Sequence, residues 1–367
     1  MKLCFIAVAN SIHSYRWIKY FAEQGHEITW VSLAPNQYDP IPGVDYIEIP
    51  FRLGPLGLFK AWSRLCAILR DGRPDLLHVH YLGVNGLLAA WTGFRPLVAT
   101  AWGSDVIYNK RSWIKRAFVR QVLRQASLVT CDALHMRKEM AGLGVDAGKI
   151  HIINFGIDTH RFYPRPPSPD IRRKLGVDDA QTVISLRNFE PVYDIPTLLH
   201  AIPLVLKKCP GTRFVIVGRG TLEQELKALA ETLGVAEHTT FVGYIPNQEL
   251  PDYLSSMDVY VSTSLSDAGI SASTAEAMAC GLPVVVTDSG ENAAWITDRI
   301  NGCIVPVSQP ERLADGIVYL LEDAGRRREM AALGRQTIQE RNDYYVEMDK
   351  MQALYAQVVQ GGSASAR

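Results

Sequence analysis

The segment Val259–Trp295, VYVSTSLSDAGISASTAEAMACGLPVVVTDSGENAAW, concentrates side chains able to do chemistry. An apolar β-branched run ends in a loop rich in Ser, Thr and Gly, and a helix opens near Ser273. Backbone N–H groups at Gly269, Ile270 and Ser271, continuing to Ser273, suit an anion there, helped by the dipole of the following helix. Glu276 stands about one turn inside that helix. Its carboxylate would accept hydrogen bonds from a ribose, although a solvated acid favoured by the dipole has the same pattern. A second candidate is Gly218-Arg219-Gly220, where an apolar run meets a helix. The dinucleotide fingerprint requires glycine at position 223, and Glu223 there would repel a pyrophosphate, so a nicotinamide enzyme is disfavoured. Two glycines alone mark a tight strand-to-helix turn, or a close backbone approach to a nucleotide. His78 and His80 alternate on one strand and share a face, which reads as an ordinary strand pair before it reads as a metal site.

The elements that must hold these residues alternate from end to end. Strands are expected at Leu3–Ala9, Ile28–Leu33, Leu76–His80, Leu97–Thr100 and Leu128–Cys131, as near-continuous apolar runs suited to parallel strands covered on both faces. The alternation restarts with strands Val183–Leu186, Phe214–Val217, Thr240–Val242, Val259–Ser262 and Pro283–Thr287. Helices are expected at Ser14–Gln24, Pro196–Lys208, Thr221–Leu233 and Thr274–Cys280. Four prolines in Arg161–Asp170, RFYPRPPSPD, read as a linker. Two doubly wound α/β domains facing across a cleft follow, with ligands at the carboxyl ends of strands. The expected bounds are 1–165, 166–342, and a C-terminal helix over 343–367 that packs toward the first domain and ends in a frayed tail over the last ten residues.

With 367 residues, 47% hydrophobic and 21% charged, the chain is long and apolar enough for two folded domains. Six scattered cysteines without a C-x-x-C support neither a zinc cluster nor a redox dithiol, and fit a reducing cytosol. No stretch approaches the ~20 apolar residues of a membrane span. The formal net charge of +0 hides an asymmetry: residues 1–165 hold 20 Lys+Arg and 12 Asp+Glu, a balance of +8, and the remainder carries −8. Between Asp105 and Asp132 there is no acid, while Lys110, Arg111, Lys115, Arg116, Arg120 and Arg124 all occur. Arg116, Arg120 and Arg124 form a stripe at i, i+4, i+8, with Ile114, Phe118 and Val122 expected on the opposite side and Trp113 near the stripe. This Lys110–Arg124 face suits an anionic membrane surface or a lipid diphosphate, unless it is simply a solvated helix side. Phe51–Arg73, with Arg52, Lys60, Arg64, Arg70 and Arg73 against Asp71, could extend it. No nucleic-acid partner is expected.

The stretch EAMACGLPVVVTD (Glu276–Asp288) closely resembles the donor-site signature of the family 4 retaining glycosyltransferases (group 1) of the GT-B fold. PDLLHVHYLGVNG (Pro74–Gly86), TAWGSDV (Thr100–Val106), INFGIDTHRFYP (Ile153–Pro164), FVIVGRGTLEQEL and FVGYIPNQELPDYLSSMDVYVSTS resemble the same family in the same order. The resemblance implies transfer from a nucleoside-diphosphate sugar without metal or other cofactor. The acceptor would be a hydroxyl of a glycan, lipid-linked, in cell-surface polysaccharide or lipopolysaccharide synthesis at the cytoplasmic membrane face.

Residue by residue, the resemblance implies that Arg187, in SLRNFEPVYD, grips the donor diphosphate. Tyr193 stands where the family has a Lys, and Asp194 where a glycine usually follows. The acid that the family places eight positions before Glu276 is replaced by Ala268, leaving neighbouring Asp267 to take over or merely to cap the loop. Glu276 corresponds to the acid on the ribose, and the base would lie near Gly218, Arg219 and Tyr244. On the acceptor side the family often has His before Gly-x-Asp, where this chain has Trp102-Gly103-Ser104-Asp105. Asp105 would bind the acceptor or assist as base, and Trp102 would stack on a sugar or fill the rim. Asn10, Ser11 and His13 follow the first strand, where His13 would meet a phosphate or hydroxyl unless it only shapes the loop. The missing Lys and acid keep two rivals open: a sugar-nucleotide epimerase or hydrolase on the same fold, and a non-catalytic nucleotide-sugar-binding regulator.

Overall fold

The computed structural model describes residues 1–102, 113–267 and 269–364, without the side chains of 113–115 and 362–364. Asp105, Lys110, Arg111 and Ala268 lie outside the described residues. The chain forms two compact units, Met1–Phe155 with Tyr345–Arg367, and Gly156–Tyr344.

The first unit is a sheet of seven parallel strands: β1 (Lys2–Ile6), β2 (Glu27–Ser32), β3 (Val44–Glu48), β4 (Leu76–His80), β5 (Leu97–Ala101), β6 (Leu128–Cys131) and β7 (Ile150–Ile152), in the order β3-β2-β1-β4-β5-β6-β7. The helices are α1 (Ile12–Glu23), α2 (Pro55–Gly72), α3 (Val84–Trp91), α4 (Trp113–Gln125) and α5 (Leu134–Gly142). Gly25, at φ +78°, ends α1 in the left-handed conformation expected of a helix C-terminus. The second unit has six parallel strands, β8 (Thr182–Leu186), β9 (Arg213–Val217), β10 (Thr239–Gly243), β11 (Val259–Ser262), β12 (Val284–Thr287) and β13 (Cys303–Val305), in the order β10-β9-β8-β11-β12-β13. Strand order therefore reverses between β1 and β4 in one sheet and between β8 and β11 in the other. That reversal leaves a crevice at the carboxyl ends of the two strands, the usual ligand position in open α/β sheets.

Three expectations need correction. Arg161–Asp170 is not a free linker. It belongs to the second unit, where Arg161 donates to the Asn247 side chain (2.8 Å) and Arg165 pairs with Asp252 (2.6 Å). The C-terminal helix runs Tyr344–Ala364, well into the last ten residues, because extending an established helix fixes few additional torsions per hydrogen bond. In α4 the buried seam is Val119, Val122 and Leu123, continued by Ala126 just past the helix, so Phe118, on the side opposite the arginines, is 39% exposed and does not share the core with Val122.

His78 and His80 are fully buried on β4. The His78 ring sits 2.5 Å (Nδ1) from the Tyr355 hydroxyl of the C-terminal helix and 2.7 Å (Nε2) from the Thr100 hydroxyl, so both nitrogens are engaged within the protein. This tether, with Tyr20 donating to Asp349 (2.5 Å) and Asn154 N–H donating to Glu347 (2.8 Å), holds the C-terminal helix to the first unit. Among the described residues no three His, Cys, Asp or Glu side chains converge as a metal site would require. Burial, with a smaller contribution from His13, lowers His80 to about 3, and burial with the neighbouring His80 holds His78 well below its ordinary value.

Both imidazoles are thus neutral when folded and free to protonate near pH 6.5 when unfolded. Their contribution to stability is complete above about 6.5 and declines as pH falls toward the folded values, by roughly 1.4 kcal/mol per pH unit for each. Replacing His80 by Asn should therefore flatten the urea midpoint's dependence on pH between 6.5 and 5 by about one proton's worth. An unchanged slope would exclude the buried neutral imidazole.

Candidate functional site

β8 and β11 flank the switch point of the second sheet, and the loops leaving them bring Arg187 and Asp267 together. Arg187 Nη2 donates to Asp267 Oδ1 at 2.5 Å, both side chains being 9% exposed. Nη1 lies 3.3 Å from the Ser273 hydroxyl, which is 2.8 Å from the Tyr260 hydroxyl. The guanidinium stacks over the Tyr193 ring, 4.3 Å from its centroid. Tyr193 is therefore a platform that orients the guanidinium. Burial raises the Asp267 carboxyl, against the charge and hydrogen bond of Arg187 and a hydrogen bond from Ser264.

Close backbone packing fixes this geometry. A Cβ on Gly290 would stand 2.0 Å from the Asp267 carbonyl oxygen, and one on Gly218 2.3 Å from the Arg187 carbonyl oxygen. A Cβ on Gly220 would meet the Phe189 carbonyl at 2.4 Å. The two glycines after β9 are thus explained by a tight turn clamped to the loop after β8, reinforced by Phe189 N–H to Arg219 O and Leu222 N–H to Phe189 O, both 3.0 Å. Asp194 adopts φ +45°, a conformation that favours glycine, and is held there by hydrogen bonds from Thr197 (2.8 Å) and Ser308 (3.0 Å).

The helix Ala272–Ala279 opens beside the pair. Ser271 caps it, accepting from Thr274 N–H at 3.2 Å, while the N–H groups of the first turn lack intrahelical acceptors. Gly269 and the buried Ile270 can offer a ligand only their backbone, and Glu276 is half-buried on the helix. Gly218 N–H donates to Gly243 O (2.9 Å), which brings the exposed Arg219 and Tyr244 to the ends of β9 and β10. All described donor-side candidates therefore gather at one sheet edge. The Ser273 hydroxyl and Tyr260 are not singled out by the sequence, because a hydroxyl in a serine-rich loop and a tyrosine in a strand carry no distinguishing pattern.

In the first unit, Asn10, Ser11 and His13 follow β1, and Trp102 follows β5. His13 stacks on Trp102 with centroids 4.8 Å apart and planes at 24°, and the Ser11 hydroxyl lies 3.5 Å from that of Tyr81, which has φ +69° at the end of β4. Burial, then the nearby Arg16 charge, lowers His13 and favours its neutral form. The six thiols form no disulfide, and burial pushes Cys4 and Cys280 up to about 12, which leaves them unreactive.

Comparison with known proteins gives this arrangement its class. Residues 167–337 match the family described as "Glycosyl transferases group 1", and residues 2–133 match "Glycosyl transferase 4-like". The chain is 30% identical over 261 residues to a GDP-mannose-dependent alpha-(1-6)-phosphatidylinositol monomannoside mannosyltransferase of Mycolicibacterium smegmatis, covering 69% of this chain and 68% of that one. It is 30% identical over 345 residues to a D-inositol 3-phosphate glycosyltransferase of Xylanimonas cellulosilytica, covering 83% and 80%. Among solved structures, HepE of Anabaena in complex with UDP aligns with a TM-score of 0.82 at 20% identity, over 97% of this chain and all of that one. The fold is GT-B, and the chain belongs to the group 1, family 4 glycosyltransferases.

The Arg187–Asp267 pair yields a direct test. Removing one partner of a buried pair leaves an unpaired charge and costs about 3–5 kcal/mol, whereas removing both costs much less. Asp267→Ala should therefore lower the thermal midpoint more than Arg187→Leu/Asp267→Leu, and a double-mutant cycle with near-zero coupling would show that the pair carries no energy.

Proposed function

We propose that this glycosyltransferase moves a sugar, with retention and without a metal, from a nucleoside-diphosphate sugar to a hydroxyl of a lipid-linked glycan in cell-surface polysaccharide synthesis. The observation that carries the reading is the buried Arg187 guanidinium, oriented by Tyr193 and Asp267 at the β8/β11 switch point beside the N-terminus of helix Ala272–Ala279. A cation and helix-terminal amides at one point are what a leaving diphosphate requires. The names of the relatives support the substrate class: one is GDP-mannose-dependent and acts on a phosphatidylinositol mannoside, and HepE is described with UDP. The diphosphate is common to both bases, and the reading rests on it.

In this scheme the acceptor hydroxyl bonds to the anomeric carbon on the face the diphosphate leaves. The bond from carbon to phosphate oxygen breaks with its electron pair on the phosphate, and the hydroxyl proton passes to that leaving oxygen. Arg187 and the amides of Gly269–Ser273 stabilise the developing charge, and Glu276 holds the ribose. Asp267 balances Arg187 until the donor arrives. It then faces a second anion, a situation its raised protonation tendency accommodates. Asn10, Ser11, His13 and Trp102 receive the acceptor.

A thermal-shift panel of GDP- and UDP-sugars tests this. One base should raise the midpoint, by about 2.7 kcal/mol of stabilisation at a hundredfold excess over Kd. Arg187→Ala should abolish the shift. Absence of stabilisation by every member, or an undiminished shift in Arg187→Ala, would overturn the proposal, and binding without turnover on any acceptor would favour a regulator.

A further inference from the structure

The helix Ala272–Ala279 makes about two turns, so whatever holds its far end also sets where its first turn meets the donor. That far end is closed with little slack. Cys280 N–H donates to Glu276 O, Gly281 N–H to Met278 O and Leu282 N–H to Ala277 O, each at 3.0 Å. Gly281 takes the left-handed φ of +72° that such a closure needs. The Ala279 carbonyl has no intrahelical donor, because the residue four positions on is Pro283, which has no N–H to give. Arg335 supplies one. From helix Ala324–Arg341 its half-buried side chain donates through Nη1 to the Ala279 carbonyl, and the same atom reaches the Phe162 carbonyl at 3.3 Å.

Packing and charge both strengthen this anchor. A Cβ on Gly334 would stand 3.1 Å from the Asn301 carbonyl oxygen and 3.5 Å from Met278 Cε, and one on Gly281 2.9 Å from Pro164 Cγ. The helix carrying Arg335 therefore lies directly against the donor helix, which has little room to slide. The carbonyl end of a helix is the negative pole of its dipole, where a guanidinium is favourable. A diphosphate at the opposite pole complements the same dipole.

The long helix repeats the device one face-length away. Arg327, eight residues before Arg335, donates through Nη1 to Leu320 O (2.9 Å) and Leu321 O (2.8 Å), at the C-terminus of helix Pro310–Leu321. The charge and the bond type are alike, and only the helix held differs. Helix Pro310–Leu321 bears none of the donor-site residues.

We propose that Arg335 is a positioning residue for the donor. By holding the carbonyl end of helix Ala272–Ala279 it sets the place of Ser273, Glu276 and the first-turn amides against the diphosphate and ribose, from roughly 10 Å along the helix. This rests on the donor reading and deepens it.

The experiment is titration calorimetry of GDP and UDP with the full chain, comparing wild type with Arg335→Ala, Arg335→Lys and Arg327→Ala, alongside the thermal midpoint of each without ligand. Arg335→Ala should weaken whichever nucleotide wild type binds by about tenfold or more, as displacements of ~1 Å at a site do. Arg335→Lys keeps a charge and a donor and should recover part of that loss. Arg327→Ala should lower the midpoint yet leave nucleotide affinity unchanged. Arg335→Gln, which keeps a neutral donor, carries the same prediction at smaller size if the alanine variant does not fold. An Arg335→Ala protein that loses stability but binds nucleotide like wild type would reduce Arg335 to a brace, and an equal loss of affinity in Arg327→Ala would point to general softening; either result overturns the proposal and leaves the donor reading standing. Wild type that binds neither nucleotide overturns both.

Discussion

Every strand in both sheets runs parallel to its neighbours, and much else in the molecule follows from that constraint. Parallel strands need crossover connections, and the crossovers cover both faces with helices and leave the inner strands dry. Only the loops at strand ends remain to carry polar chemistry. Where the order of strands reverses, two such loops diverge, and the second sheet uses that gap to hold a guanidinium and a carboxylate out of water. The cost of desolvating Arg187 is offset by Asp267, the Ser273 hydroxyl and the face of Tyr193 together. Glycines 218, 220 and 290 sit where any side chain would displace the loops that set this geometry, so they act on the site without facing it.

How far the sequence could be read follows from the same physics. Inner strands such as LLHVH and VYVS announce themselves as unbroken apolar runs because both faces are covered. The three strands not anticipated, Val44–Glu48, Ile150–Ile152 and Cys303–Val305, all lie at sheet edges. There one side is less covered and the apolar signal dilutes, as in VDYIE, or the strand is only three residues long. Boundaries failed where local composition competed with tertiary contacts. The prolines of RFYPRPPSPD forbid regular structure, yet Arg161 and Arg165 anchor that stretch to the second unit, which no local rule reveals.

For the site, loop chemistry was legible and partnership was not. The Gly269–Ser273 amides and Glu276 could be read from a loop leading into a helix. That Asp267 engages Arg187, eighty residues away in sequence, depends on which strands are adjacent. Tyr193 illustrates the limit most clearly. From the sequence it is a lost cation, whereas in the fold it is the surface against which the remaining cation is held flat.

The tether between His78 and Tyr355 bears on how the protein is made. The first unit begins at the start of the chain, yet Met348, Met351 and Tyr355, all fully buried, belong to its interior. A ribosome delivers those residues only after the second unit, so the first unit cannot close its core until synthesis of that continuous unit is over. During that interval His78 lacks the Tyr355 hydroxyl, and order of emergence is the reverse of order of completion. The later-made half is the one free to finish first.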